Sequence, residues 1–436
     1  MPGLESNVRN QAHPMSLRTG PHRILVLDHY AGTLDHGMEY RPFYFGREWV
    51  RSGHRVLVIA AGYSHLRRVN PEFPGATQSE CHEGVNYLWV QTPPYHGNGI
   101  GRVRNMVEFM LRVRMQCAGA VAAFRPDLVI ASSTYTWDNW LASHFARAHQ
   151  ATYVYEVHDL WPLSPMELGN LSRYHPFVWT LQLAEDFACR HADRVVSLLP
   201  AARSHLVDHG MPPDRFVHIP NGIDTAEWTS PEPVPTTHAD AIRSARAEGA
   251  FLVGYVGSHG LSNALDTLVD AAASPDTNGI RFICVGDGPE KPRLEAKSRD
   301  LGSRVTFLRS VPKRSVPSLL SEFDALYLGW ARSPLYRFGI SPNKLFEYMM
   351  AGAPVIHAVE AANDPVRDSG CGYSVAPGSA PELCRSLRTL AALPLAQRRA
   401  IGQRGREYVL RHHDVHVLAA HFLDRVLREE AAPDEP

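Results

Sequence analysis

Short apolar runs alternate with helical patterns along almost the whole chain, and the alternation breaks only once, in the middle. In the first half the predicted strands are 23–28, 54–61, 86–91, 127–132, 152–158, 194–199 and 216–219. Predicted helices fill the gaps at 39–52, 100–123, 137–149, 173–190 and 201–209. The pattern restarts with strands 251–256, 281–285, 305–308, 325–330 and 354–359 and helices near 262–273, 290–301, 314–323, 342–351 and 380–391. Strand–helix alternation of this kind builds doubly wound parallel sheets. The fold class expected is therefore α/β, with two parallel-sheet domains facing across a cleft.

The break spans residues 225–248 and contains Ser-Pro-Glu-Pro-Val-Pro-Thr-Thr, which reads as a linker. It separates an N-terminal domain, 21–224, from a C-terminal domain, 249–405. Residues 1–20 read as a disordered tail, with Met15 a plausible alternative start. The region 406–436 holds a last apolar-periodic stretch and an acidic tail, Glu429–Pro436.

At 436 residues the chain has material for two cores, and its net charge of −1 gives no global basic field for nucleic acid. Six scattered cysteines form no C-x-x-C pair and read as reduced thiols in a cytoplasmic protein. No segment is long and apolar enough to span a bilayer, and residues 1–20 have no signal-peptide h-region. The 23 histidines form no H-E-x-x-H, and no Asp-x-Asp occurs. No metal and no cofactor are expected.

Chemistry concentrates in Gly339-Ile-Ser-Pro-Asn-Lys-Leu-Phe-Glu-Tyr-Met-Met-Ala-Gly352. Ser341 is a predicted N-cap, Pro342 suits the first helical position, and Gly352 supplies a left-handed C′ residue. Lys344 then stands beside the free N–H groups and positive dipole of the helix start, an anion site suited to phosphate. Glu347 lies one turn along, within reach of hydroxyls attached to that phosphate. The apolar strand 325–330 delivers this helix to the carboxyl edge of a sheet, where open α/β sheets bind ligands. A nucleotide or sugar nucleotide fits; a solvated Lys–Glu pair on an ordinary capped helix is the plain alternative.

Other strand ends carry weaker signals. Gly257-Ser258-His-Gly260 and Gly286-Asp287-Gly288 follow two strands of the second half, as ligand loops or simple turns. The loop from His29 to Arg41, with Gly37 and Arg41, is longer than its connection needs. His158 and Asp159 end strand 152–158 as a candidate site pair, or as a backbone-bonded His and a capping Asp. Residues 99–125 carry Val103, Met106, Val107, Met110, Val113, Cys117 and Val121, flanked by Arg102, Arg104, Arg112 and Arg114. That stripe suits a core face, or peripheral contact with an anionic membrane.

With these residues the chain resembles the retaining glycosyltransferases of family 4, over roughly 22–425. The similarity rests on Gly339–Gly352, Gly286–Pro289, Ile219-Pro-Asn-Gly-Ile-Asp224 and Gly53-His-Arg-Val56. His36-Gly37-Met38-Glu39-Tyr40-Arg41 looks like the branch of bacterial O-antigen and capsule enzymes that includes N-acetylfucosamine transferase-like proteins. The resemblance implies two Rossmann-like domains (the GT-B fold), a nucleotide sugar on the second domain and an acceptor on the first. It implies that Glu347 binds ribose, that backbone at Gly339, Ile340 and Ser341 touches donor sugar and phosphates, and that His158 lies near the transferred sugar. It also implies that the terminal helix returns to the first domain. Two features depart from the family pattern: Gly339 stands where many members have a glutamate, and Gly257–Ala264 lacks the usual Arg and Lys.

The expected function is transfer of a sugar, with retention, from a UDP-type nucleotide sugar to a hydroxyl acceptor in surface polysaccharide or glycoconjugate synthesis. The acceptor is a sugar or a lipid-linked sugar. Lys344, His158 and Asp159 are the expected catalytic residues. Glu347, Gly339, Ile340, Ser341, Asn343, Gly257, Ser258, Asp287, Gly37 and Arg41 are the expected substrate-binding set. A UDP-sugar 2-epimerase or a non-catalytic sugar-nucleotide binder are the alternatives, the first lacking a convincing carboxylate pair for proton transfer.

Overall fold

The computed structural model describes residues 20–97 and 99–428. The tail at 1–19, with Met15, and the acidic tail from Glu429 lie outside the described residues. Within them, fourteen strands form two sheets. The first holds β1 (Arg23–Leu27), β2 (Arg55–Ala61), β3 (Thr77–His82), β4 (Val85–Val90), β5 (Leu128–Ala131), β6 (Thr152–Val157), β7 (Arg194–Ser197) and β8 (Phe216–His218). The second holds β9 (Phe251–Val256), β10 (Ile280–Val285), β11 (Val305–Leu308), β12 (Ala325–Gly329), β13 (Val355–Ala358) and β14 (Gly372–Val375).

The sheet orders are β3-β4-β2-β1-β5-β6-β7-β8 and β11-β10-β9-β12-β13-β14. All pairings are parallel except β3 with β4. The order reverses between β1 and β5 and again between β9 and β12. Ligands of doubly wound sheets bind at such reversals, beyond the carboxyl ends of the strands. Here those ends present Asp28 and Ser132 in one sheet and Gly257 and Trp330 in the other.

The central strands are buried on both faces, so their sequences are continuous apolar runs such as Val-Leu-Val-Ile-Ala-Ala (56–61). Strand β3 escaped the sequence reading because Thr-Gln-Ser-Glu-Cys-His is polar and half-exposed on an antiparallel edge.

The segment expected to be a linker carries a helix, Thr236–Ala247, whose Ile242 and Ala245 are buried in the second core. Two apolar residues three apart are too few to announce a helix among prolines. The last apolar stretch forms two helices, Leu395–His412 and Val415–Leu427. The second lies on the first domain: Phe422 packs on Trp49 and Phe45 at ring distances of 5.3 and 6.0 Å, and Trp49 Nε1 donates to the Ala419 carbonyl at 2.9 Å. The chain crosses at His413–Asp414, where Asp414 bridges in parallel to Ile223.

In the 99–125 stretch the helix Ile100–Arg112 runs into a π-helical turn, Val113–Cys117, before Ala118–Phe124. Met106, Val113, Cys117 and Val121 of the predicted stripe are core, together with Phe109. Val107 is exposed and forms a second face with Ile100, Leu111 and Met115. Among the described residues no helix is long and apolar enough to cross a membrane.

Candidate active site

On the first domain, His158 follows β6 and is tied to the strand behind it. The Ser132 hydroxyl donates to Glu156 Oε2 at 2.5 Å, and His158 Nε2 stands 2.9 Å from Ser132 Oγ and 3.3 Å from Glu156. Burial alone would lower the His158 pKa, but the Glu156 hydrogen bond and charge outweigh it and raise the pKa. The predicted His158–Asp159 pair does not form. Asp159 Oδ1 accepts the Leu160 N–H at 2.9 Å, which makes it a turn-capping carboxylate, and burial raises its pKa. Glu156 takes the place beside the imidazole because alternate strand residues share a face.

Arg41 was expected to touch substrate, and the structure spends it on the protein instead. Its guanidinium is buried, bonding Glu156 Oε1 (2.9 Å), the carbonyls of Ile219 (3.1 Å) and Pro220 (2.8 Å), and Asn221 Oδ1 (3.2 Å). Burial would raise the Glu156 pKa, but the Arg41 charge, then His158, hold it far below the usual carboxylate range. Gly37 is likewise structural: its N–H closes onto the Thr33 carbonyl at 2.8 Å in a tight turn of the loop.

Asn221 carries this clamp to the second domain. Its N–H donates to Ser341 Oγ at 2.7 Å and its side-chain amide to the Ser341 carbonyl at 2.9 Å. Ser341 is therefore occupied by the first domain and is not the N-cap. The helix runs Asn343–Met350 with Pro342 at the cap position and no capping side chain, so Lys344 is its second residue. Gly352 has φ +73° just past the helix, as its C′ role requires. Asn363 fixes Ile340 from the other side, accepting its N–H at 2.8 Å and donating to its carbonyl at 3.0 Å. Gly339, at φ +102°, lies so close to Pro200 that a Cβ would approach Pro200 Cδ to 2.5 Å. A glutamate there has neither the backbone nor the room.

Lys344 Nζ donates to Asn263 Oδ1 at 2.7 Å and to the Tyr255 hydroxyl at 3.0 Å. Its stem fills the space where a Cβ on Gly257 would sit, 2.5 Å from Lys344 Cε. Ser258 offers its carbonyl to Tyr255 (2.6 Å) and Asn263 (2.9 Å). Burial lowers the Lys344 pKa to about 8, because neutral partners replace water around the ammonium. A half-buried ammonium held by neutral groups at an uncapped helix start has the chemistry to hold an anion.

Glu347 does not pair with Lys344. Its carboxylate bonds Lys313, which also lies 3.8 Å from Glu227, and Tyr44 donates to Glu227 at 2.5 Å. Asp287 is turned away: it accepts both the N–H (3.0 Å) and the hydroxyl (2.7 Å) of Ser310. Those bonds, the hydroxyl's first, lower its pKa to about 2. The loops after β9 and β10 interlock through backbone, His259 N–H to Asp287 carbonyl at 2.9 Å and Glu290 N–H to His259 carbonyl at 3.0 Å.

Ser132, Glu156, Asn221, Tyr255, Lys313 and His259 were not singled out in the sequence as site residues. His259 is fully buried beside Gly286, with neither ring nitrogen bonded among the described residues. Burial lowers its pKa to about 4. The Ile-Pro-Asn-Gly motif held the one available signal for Asn221.

A family model described as "Glycosyl transferase 4-like domain" matches residues 36–222, and one described as "Glycosyl transferases group 1" matches 250–392. A 2-deoxystreptamine N-acetyl-D-glucosaminyltransferase of Streptomyces fradiae is 25% identical over 343 residues, 76% of each chain. A 2-deoxystreptamine glucosyltransferase of Streptomyces kanamyceticus is 29% identical over 195 residues, 42% of this chain and 48% of that one. Among solved structures, Anabaena Alr3699/HepE in complex with UDP and glucose superposes with a TM-score of 0.63 at 19% identity, covering 92% of this chain and 98% of the other. The two parallel-sheet domains are a GT-B fold, and the chain is a glycosyltransferase.

Proposed function

We propose that this GT-B glycosyltransferase moves a sugar from a UDP-sugar to a hydroxyl of a small amino-sugar or aminocyclitol acceptor, with retention of configuration. The observation that carries the reading is Lys344. It is a half-buried ammonium held by neutral groups at an uncapped helix start, beside a glycine loop at the switch point of the second sheet. A departing diphosphate is the dianion such a site stabilises. Lys344 and the first N–H groups of Asn343–Met350 take the leaving-group charge. Glu347, now balanced by Lys313, receives the ribose hydroxyls. His158, its pKa raised by the hydrogen bond and charge of Glu156, orients donor and acceptor. Asn343 and the backbone at Gly339–Ser341 complete the donor loop.

The choice of base is supported by the UDP and glucose bound to HepE, and the acceptor class by the names of both Streptomyces relatives. A lipid-linked acceptor for surface polysaccharide is a second reading, favoured by the exposed Ile100, Val107, Leu111 and Met115. The arginines argue less for it than their number suggests. Arg104 and Arg112 both bond Glu108 at 2.8 and 3.0 Å, and Arg102 bonds the Tyr30 hydroxyl at 3.0 Å.

The test is a matrix of UDP-sugars against 2-deoxystreptamine glycosides and polyprenyl-linked sugars, scored by nucleotide release and product mass. Acceptor-dependent release with a glycosylated aminocyclitol supports the proposal. Epimerised donor without transfer, or binding without turnover, would overturn it.

A further inference from the structure

We propose that His36, Glu80 and His82 form a divalent-metal site, suited to Zn²⁺, that fastens the long loop after β1 to the β3–β4 hairpin. Glu80 and His82 are two apart on β3 and so project from one face of the strand. His36 comes to that face from the loop, where Arg68 and Val69 N–H groups hold its carbonyl at 2.9 and 3.0 Å.

One atom from each side chain lies within 4.8 Å of the other two. Glu80 Oε2 stands 2.9 Å from His82 Nε2 and 3.6 Å from His36 Nε2. Zn²⁺ bonds to His nitrogen and carboxylate oxygen are about 2.0–2.2 Å, so tetrahedral ligands sit roughly 3.3–3.6 Å apart. Those two separations bracket that spacing, and the third pair of ligand atoms lies within 4.8 Å.

The other ring nitrogens are engaged as those of metal-bound imidazoles are. His36 Nδ1 lies 2.8 Å from Thr33 Oγ1, and His82 Nδ1 lies 3.5 Å from Asp35 Oδ2. His82 Nε2 donates to Glu80 Oε2 here, so binding a metal moves that proton to Nδ1, where Asp35 Oδ2 can accept it, as Thr33 Oγ1 can accept from His36 Nδ1. The Trp89 ring, 5.0 Å from His36, backs the site with an apolar wall. Two histidines and one carboxylate leave a fourth position for water.

A second cluster provides an internal control. Glu185, His205 and His209 are equally close together, but the Gln182 amide fills their centre. Its Nε2 lies 2.8 Å from Glu185 Oε2, 2.8 Å from Asp186 Oδ1 and 2.9 Å from His209 Nδ1. An ion there would have to displace the Gln182 amide from Glu185 and His209.

The experiment uses the full chain with any His-tag removed. Metal content is measured after gel filtration. The chelated protein is then titrated with Zn²⁺ against a chromogenic chelator, with melting temperature followed in parallel, and with Co²⁺ for its visible absorption. One Zn²⁺ per chain, a higher melting temperature and a low-coordinate Co²⁺ spectrum are expected. His82→Gln and Glu80→Gln should abolish all three, and His205→Gln should change none. Thr33→Val should weaken the metal by about 10–100-fold while sparing the ligands. No stoichiometric binding by folded wild-type protein would overturn the proposal, as would binding that survives in both His82→Gln and Glu80→Gln.

Discussion

Asn221 grips Ser341 twice, backbone N–H to hydroxyl at 2.7 Å and side-chain amide to carbonyl at 2.9 Å, and thereby joins the two halves at the loop that precedes the Asn343–Met350 helix. Because Arg41 holds Asn221 from behind, the loop position depends on Glu156 and the whole first sheet. Replacing Asn221 with Ala removes the amide and leaves the Ser341 carbonyl and one Arg41 donor without their partner. Donor kcat/KM should fall by about tenfold or more, the size of one or two lost hydrogen bonds at about 1 kcal/mol each. Steady-state kinetics over a range of UDP-sugar concentrations checks this, and an unchanged kcat/KM would separate the loop from catalysis.

Lys344→Met should cut turnover by about 10²–10³-fold, the cost of losing one preorganised stabilising group. The melting temperature should hold or rise, since the substitution removes a half-buried charge with no carboxylate partner. Activity within a few-fold of wild type would place the diphosphate elsewhere.

The same lysine sets an alkaline limit. Its pKa of about 8 in the free enzyme means that the ammonium is lost as pH rises through 8. The kcat/KM for donor should therefore decline above pH 8, because that parameter reports the free enzyme. Lys344→Arg should remove the decline even where it lowers activity.

Glu347→Gln should weaken UDP binding by about 1–3 kcal/mol, the range for a hydrogen bond to a charged group. Calorimetry with the free nucleotide is decisive, and equal affinity for both proteins would remove Glu347 from the ribose site. If Lys344 supplies the charge at the leaving group, adding Mg²⁺ or Mn²⁺ to chelated enzyme should not raise turnover.

His413 makes the fold acid-sensitive. Its ring stacks on Phe346 at 3.7 Å and lies with Nδ1 2.8 Å from the Asn221 carbonyl, and burial lowers its pKa to about 4. The unfolded chain takes up this proton near pH 6.5, the folded one only near 4. Stability is therefore complete above pH 6.5 and declines as pH falls toward 4, by up to about 3 kcal/mol from this group. His413→Gln should be less stable at pH 7.5 but lose less on acidification, which thermal melts at both pH values would reveal.

Much of this was legible in the residues. The strand–helix rhythm gave both sheets because strands buried on two faces must be apolar throughout, and Gly339–Gly352 marked a helix that follows a strand of the second sheet. What misled was partner choice. Ser341 has the chemistry of a cap, but Asn221 is 120 residues away in sequence and claims its hydroxyl. Asp287 and Asp159 looked like ligands because they follow strand ends, and Arg41 because it closes a long loop, yet each is satisfied by the protein. Lys313 escaped notice because its partner, Glu347, arrives from another element. Sequence spacing reports faces of helices and strands, not which distant donor reaches an acceptor first.

The chain passes between domains twice, and the two passages lie side by side at Ile223 and Asp414, held by paired backbone hydrogen bonds of 2.9 and 3.0 Å. A single tether would allow the halves to swivel in any direction. Two tethers laced together resist twisting and separation, which leaves one soft motion, a swing about the line through that lacing. Opening of the cleft to release nucleotide is then a door turning on two adjacent pins. The door's far edge is latched by Arg337 with Glu167 and by Phe338, which the second domain buries in the first core and whose carbonyl accepts the Ala201 N–H at 3.0 Å, so opening must draw an aromatic ring out of a core as well as break a surface ion pair.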